Sequence, residues 1–205
     1  RIGRDSDGKI QPCTLEFLID NVDESVGIAA WGGSDPVKLP CGMEYRQLCK
    51  QKNAEGELPQ NVSIVRLHRT GNAGERSVNA TQLNGIDPLD PIALGDAEVE
   101  LRGQIDACLK FLRTYVPGFE NAHMIQTGPN IGIRESYKID GVYKLTDADM
   151  VENVMFEDAI AMGGYPIDIH SPDGAAMKHR HLKPGSWYSV PYRSLVTGEI
   201  ENLIV

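Results

Sequence analysis

Two short stretches of this sequence carry side chains that could do chemistry together. In "GIRESYKIDGVYKLT" an arginine and a glutamate stand side by side, Arg134 and Glu135. On an extended strand Arg134 and Ser136 share one face, and Glu135 and Tyr137 the other. In "YPIDIH", Asp168 and His170 share a face, close enough for a carboxylate to orient an imidazole. Tyr192-Arg193 follows Pro191 near the C-terminus. Each has a plainer use. An Arg-Glu dipeptide on a strand is usually a surface ion pair contributing under about 1 kcal/mol, and Asp-x-His is a weak signal by itself. His179-x-His181 has metal-ligand spacing but no third ligand nearby in sequence, and His68 and His123 read as surface residues. There is no G-x-S-x-G, H-E-x-x-H, P-loop or G-x-G-x-x-G.

The elements that must position these groups follow from periodicity. Gly128 to Thr146 reads as a β-hairpin with Asp140-Gly141 as its two-residue turn, Ile139 opposite Val142 and Lys138 opposite Tyr143. Thr146, with Asp149 three residues on, predicts a capped helix. Its inner stripe would be Val151, Val154, Met155, Ala159 and Met162, and Gly163-Gly164 would end it. Asp96 to Tyr115 is the clearest helix, with Ala97, Leu101, Ile105, Cys108, Leu109 and Leu112 in one stripe before Pro117-Gly118. A short helix is expected around Tyr45, Leu48 and Cys49. "PCTLEFLIDNV" alternates, placing Leu15, Phe17 and Ile19 on one buried face. "NVSIVRLHRT", "SVNATQLNGI", "YPIDIH", "SWYSVPYRSLV" and "IENLIV" read as further extended segments, and "SPDG" as a turn. Strands without regular βαβ alternation predict an α+β domain, a mostly antiparallel sheet with two to three packed helices.

Composition narrows the classes. The 205 residues, 41% of them hydrophobic, suffice for a sizeable core without staples. Twenty Lys and Arg against 29 Asp and Glu leave a net charge of -9, which argues against nucleic-acid and anionic-membrane partners. Lys178-His179-Arg180-His181 is the one basic run and reads as a solvated loop. No apolar run approaches the ~20 residues of a membrane span. Cys13, Cys41, Cys49 and Cys108 fit neither a zinc site nor a disulfide framework, and no metal is expected. The opening lacks Met and the chain stops on the apolar "ENLIV", so the expectation is a piece of a longer protein, with its compartment undecided.

Together, "IGIRESYKIDGVYKLTDADM", "DAIAMGGYPIDIHSPDG" and "YSVPYRSLVTGEIENLIV" resemble a bacterial FAD-dependent oxidoreductase family, similar to the glutathione-reductase-like flavoproteins. The upstream "GKIQPCTLEFLIDNVD" and "NATQLNGIDPLD" also fit, so the resemblance spans nearly the whole chain. Tyr137 and Lys138 stand where the family pattern prefers two arginines, and Thr197-Gly198 where it often has Pro with Lys or Gly.

The resemblance implies that residues 1–205 are one substrate domain of a two-domain flavoprotein, with the FAD-binding Rossmann segments outside the chain. FAD would then be held by the parent protein, and weakly or not at all by these residues, whose own cofactor contacts stay unassigned. The partners implied are a small-molecule substrate and the FAD-binding domain of the same protein. Arg134 would hold an anion, His170 would give or take a proton with its tautomer set by Asp168, and Glu135, Tyr192 and Arg193 would line the substrate pocket. Two rivals stay open: a non-catalytic domain recognising carbohydrate or peptide, and a polysaccharide lyase or hydrolase acting through Asp168, His170 or Tyr192.

Overall fold

The computed structural model describes residues 3–4, 7–31, 36–174 and 177–205, with only the backbone of 177–179. Contacts divide the chain into two units, residues 12–134 with 172–175, and residues 1–11, 135–171 and 176–205. The architecture is α+β, with every strand pairing antiparallel.

The larger unit is built on β1 (Phe17–Asp20), α1 (Tyr45–Ala54), β2 (Arg66–Arg69), β3 (Arg76–Asn79), α2 (Pro91–Tyr115) and β4 (His123–Thr127). Its four strands form one sheet in the order β2-β3-β1-β4. The alternation in "PCTLEFLID" does what period two requires, burying Cys13, Leu15, Phe17 and Ile19. These side chains share a core with the α2 stripe of Leu101, Ile105, Cys108, Leu109 and Leu112 and with Tyr45, Leu48 and Cys49 of α1. The sequence places the start of α2 at Asp96, whereas the helix begins five residues earlier. Asp90 accepts the Ile92 N–H at 2.8 Å and Pro91 sits at the first helical position, where its missing donor is no loss. Cys108 is fully buried, and burial pushes its thiol up to about 12.

Polar side chains complete this unit where its short strands leave backbone groups unpaired. Between the Phe17–Val78 and Cys13–Leu83 pairings the β3 side has one residue more than the β1 side. The Thr81 hydroxyl fills that gap, accepting the Leu15 N–H at 2.7 Å and donating to the Leu15 carbonyl at 2.8 Å. Buried Gln104 of α2 pairs likewise with both backbone groups of Gln82, at 2.8 and 3.0 Å. Arg76 is fully buried, donating to Glu24 at 2.6 and 3.1 Å and to the carbonyls of Ile28 and Glu75.

The smaller unit carries α3 (Asp147–Val151), β5 (Ala159–Gly163), β6 (Ile167–His170), β7 (Met177–Arg180) and β8 (Tyr188–Pro191), with a 3-10 turn over Tyr192–Ser194. β5 pairs with β8 and β6 with β7. The capping box of Thr146 and Asp149 is present, but the long helix expected behind it is not. Asn153 takes a left-handed backbone (φ 58) and Val154 N–H returns to the Asp149 carbonyl, so the helix closes after five residues. Ala159 to Gly163 is instead a strand, and Gly163 is used for close packing: a side chain there would meet the Tyr188 ring at 2.5 Å.

The expected hairpin at Asp140-Gly141 is also absent. Gly141 bridges Thr197, and Val142 and Tyr143 donate to the carbonyls of Val196 and Arg193. Tertiary pairing with the chain's late segment overrides the local turn signal, and Gly141 is needed because a Cβ would sit 2.9 Å from the Ser194 carbonyl. The final segment forms only a bridge, Val196 with Ile204, and its apolar residues are exposed. The basic run from Lys178 is not a loop, since Met177–Arg180 is the strand that pairs with β6. Among the described residues no helix is long and apolar enough to cross a membrane.

Hydrogen bonds from Arg76, then from the Gly74 N–H, hold the Glu24 carboxyl at about 2 against an ordinary 4.5, outweighing its partial burial. The folded value lies below the unfolded one, so the stabilisation is complete above about pH 4.5 and is lost as pH falls through about 2. Urea midpoints should therefore fall less between those pH values for Glu24→Gln than for the unaltered chain. Arg76→Ala, which empties a fully buried site and leaves Glu24 only the Gly74 N–H and Arg69, should destabilise the fold by about 3 kcal/mol in denaturant titrations at pH 7.

Candidate functional site

Each candidate side chain is placed by a different local device. His170 ends β6 and is buried, an uncommon setting for a titratable group. Its backbone N–H donates to Gln11 Oε1 at 2.9 Å, and the Gln11 N–H donates to Glu135 Oε2 at 2.8 Å. Glu135 Oε1 lies 3.9 Å from Lys138 Nζ. Glu135 is thus occupied within its own unit, and its carboxylate is no clamp for Arg134. Asp168 stands two residues before His170 on β6, and its Oδ1 is sealed from solvent and accepts no hydrogen bond among the described residues. The bond that would set the His170 tautomer is therefore not made through that oxygen.

Tyr192 and Arg193 lie in the 3-10 turn that follows β8. Tyr192 donates its N–H to the Asp158 carbonyl at 2.8 Å and leaves its ring partly exposed. Arg193 is built into a cluster. Its guanidinium carbon lies 4.8 Å from the Tyr143 ring centre and 5.1 Å from that of Phe156. Nη1 sits 3.3 Å from Asp158 Oδ1, an ion pair without hydrogen-bond alignment, while the Arg193 N–H reaches Asp158 Oδ2 at 3.1 Å. Tyr143 in turn donates its hydroxyl to Asp149 Oδ2 at 2.9 Å. That bond, with some burial, raises the Tyr143 pKa. Burial pushes the Asp149 carboxyl up, but bonds from Thr146 and Tyr143 outweigh it and leave the group below its ordinary range. Arg193 thereby ties the turn after β8 to the α3 cap.

Arg134 belongs to the larger unit. Beyond β4 the chain stays beside β1: Gly128 donates to the Glu16 carbonyl, and Gly132 and Thr14 exchange backbone bonds at 2.6 and 3.2 Å. Arg134 follows that bridge by two residues and is exposed, with no hydrogen-bond partner among the described residues. Its charge is near enough to offset part of the rise that burial imposes on the Cys13 thiol. Of the His179-x-His181 pair, the side chain of His179 lies outside the described residues.

Sequence reasoning missed Gln11, Tyr143, Phe156 and Asp158. None carries a local motif, and each meets its partner through contacts more than a dozen residues away, apart from the Tyr143–Asp149 hydrogen bond. It also missed β4, because Met124 and Ile125 are adjacent rather than alternating and the strand lies at the sheet edge, largely exposed.

The family model for FAD dependent oxidoreductase matches residues 1–205. The chain belongs to that family. No curated protein and no solved structure matches it.

The described residues can be tested against the cofactor's diphosphate, which in such proteins needs a helix N-terminus with free N–H groups. The N-terminus of α2 is capped by the Asp90 carboxylate, that of α3 by Thr146 and Asp149 with Asp147 beside them, and that of α1 follows Glu44. The carboxylates that cap α2 and α3, and Glu44 at the start of α1, disfavour a second anion at these helix ends.

The Arg193 cluster makes a stability prediction. Arg193→Ala should lower the thermal midpoint and cost about 1–2 kcal/mol, through loss of two ring contacts and one carboxylate partner. Arg193→Lys should recover only part of this, because an ammonium lacks the planar, delocalised surface that a guanidinium presents to the ring pair. Calorimetry on the three proteins checks it.

Proposed function

We propose that this chain is the substrate domain of a FAD-dependent oxidoreductase acting on a small molecule, with the FAD-binding domain of the same protein supplied by residues outside 1–205. The observation that carries the reading is His170, a buried titratable side chain at a strand end, in a chain that belongs to a flavin-dependent family. The redox change belongs to the flavin. These residues contribute the surroundings: His170 of the smaller unit exchanges a proton with the substrate at its imidazole, and Arg134, taken by itself on the larger unit, offers an uncommitted guanidinium to an anion. Asp168, with one oxygen sealed and unbonded, is the carboxylate nearest in sequence to His170 and the candidate to stabilise its charged form. Tyr192 presents an exposed ring to ligand, while Arg193 and Glu135 act by holding the unit's turns in place.

A second reading has one observation in its favour. Tyr165, Trp187 and Tyr192 are all exposed on the smaller unit, the kind of aromatic surface that a carbohydrate- or peptide-binding module uses. Flavin absorbance in the purified parent protein decides between the two.

In that parent protein, Arg134→Ala and His170→Ala should each slow flavin reduction by substrate on the order of a hundredfold in stopped-flow experiments. Near-unaltered rates for both would remove the assignment. Residues 1–205 alone should bind FAD weakly or not at all in a calorimetric titration, as the acidic helix ends require; tight stoichiometric binding would contradict the proposed division of labour.

A further inference from the structure

We propose that Gln11 and Glu135 are positioning residues for His170, together fixing the backbone from which its imidazole is aimed. The inference rests on the reading of His170 as the proton-transfer group.

β6 belongs to a two-stranded sheet, so β7 covers one of its edges and the other has no strand partner among the described residues. An N–H on such an edge is paired by something else or left to water, and a strand end without a partner frays. At His170 the partner is a side chain 159 residues away in sequence, since the N–H is accepted by Gln11 Oε1 at 2.9 Å. Because an N–H must meet an oxygen, this contact also fixes which end of the Gln11 amide faces β6. Gln11 is itself held. Its own N–H is accepted by Glu135 Oε2 at 2.8 Å, a charge-assisted bond stronger than one between neutral groups. Its neighbour Ile10 is buried, which pins the segment against sliding.

Fixing the N–H of His170 fixes the direction of its Cα–Cβ bond, and so the arc the imidazole can sweep. A misplacement of about 1 Å in a reacting group can cost on the order of a hundredfold in rate. A carboxylate that never touches substrate can thus govern the histidine through one intervening amide. This accounts for Glu135 being turned toward Gln11 rather than toward its chain neighbour Arg134.

Two measurements on the chain test this. Amide hydrogen exchange followed by NMR should show the His170 N–H protected, and Gln11→Met, isosteric but without an acceptor, should speed its exchange on the order of tenfold. Glu135→Met should do the same, while Glu135→Gln, which keeps an acceptor oxygen, should restore most of the protection. Amides of α2 should be unaffected throughout. In the parent protein Gln11→Met should lower kcat on the order of tenfold at unchanged KM, the mark of a contact that aims a group without binding substrate. Unchanged His170 exchange in both Met variants overturns the proposal. So does faster exchange with unaltered kcat where His170→Ala does slow the reaction. If His170→Ala leaves the rate unaltered, the reading of His170 falls and the positioning role with it, even where exchange confirms the contact.

Discussion

A buried guanidinium is tolerable only when its donors are met, and that requirement organises the larger unit around Arg76. Left unpaired, such a charge costs several kcal/mol. Glu24 comes from the loop after β1 to meet it, and the carbonyls of Ile28 and Glu75 take further donors. The loop cannot move away without stranding both charges. The Glu24 carboxylate accepts the Gly74 N–H as well, which fixes the β2-β3 connection, and Arg69 pairs with its other oxygen. One ion pair thereby sets the position of two loops at one end of the sheet.

The same rule, applied to backbone groups instead of charges, explains why the fold leans on polar side chains. The described strands are four or five residues long and leave ladder positions unfilled. Thr81 stands in for a strand at Leu15, Gln104 stands in for one at Gln82, and Gln11 does so at His170. Each meets backbone groups that water reaches poorly, where an unmade bond costs about 1–3 kcal/mol. Apolar residues of similar size would fill the space and leave those groups orphaned.

This division also shows what was legible in the sequence. The α2 stripe and the alternation of "CTLEFLI" are periodic over enough residues to survive any context, and both were readable. The Thr146–Asp149 capping box was readable because it is complete within four residues. Its helix was not, since Asn153 closes the turn and the following apolar residues pair with β8. Asp140-Gly141 carried a true hairpin signal that lost to distant pairing with Thr197 and Val196. Among site residues, His170 was visible as a residue type on a strand. Gln11 was invisible, because an amide in an irregular N-terminal segment announces nothing about a partner 159 residues on.

Three arginines differ in how far the fold has already engaged their donors. Arg76 is enclosed by carbonyls and a carboxylate, and Arg193 packs against the Tyr143–Phe156 ring pair with Asp158 beside it. Neither can turn to a ligand without giving up those contacts. Arg134 has no such commitment among the described residues and is exposed. An anion that met an exposed guanidinium of this kind would displace solvent alone and oppose no protein contact, and a carboxylate could take two parallel bonds. The adjacent Glu135 would compete for the same guanidinium if it faced it, but its oxygens are engaged by Gln11 and Lys138. What reads in sequence as one ion pair is therefore, in the fold, two charges with separate work. The glutamate is committed to architecture, and that commitment keeps it from competing for the arginine's donors.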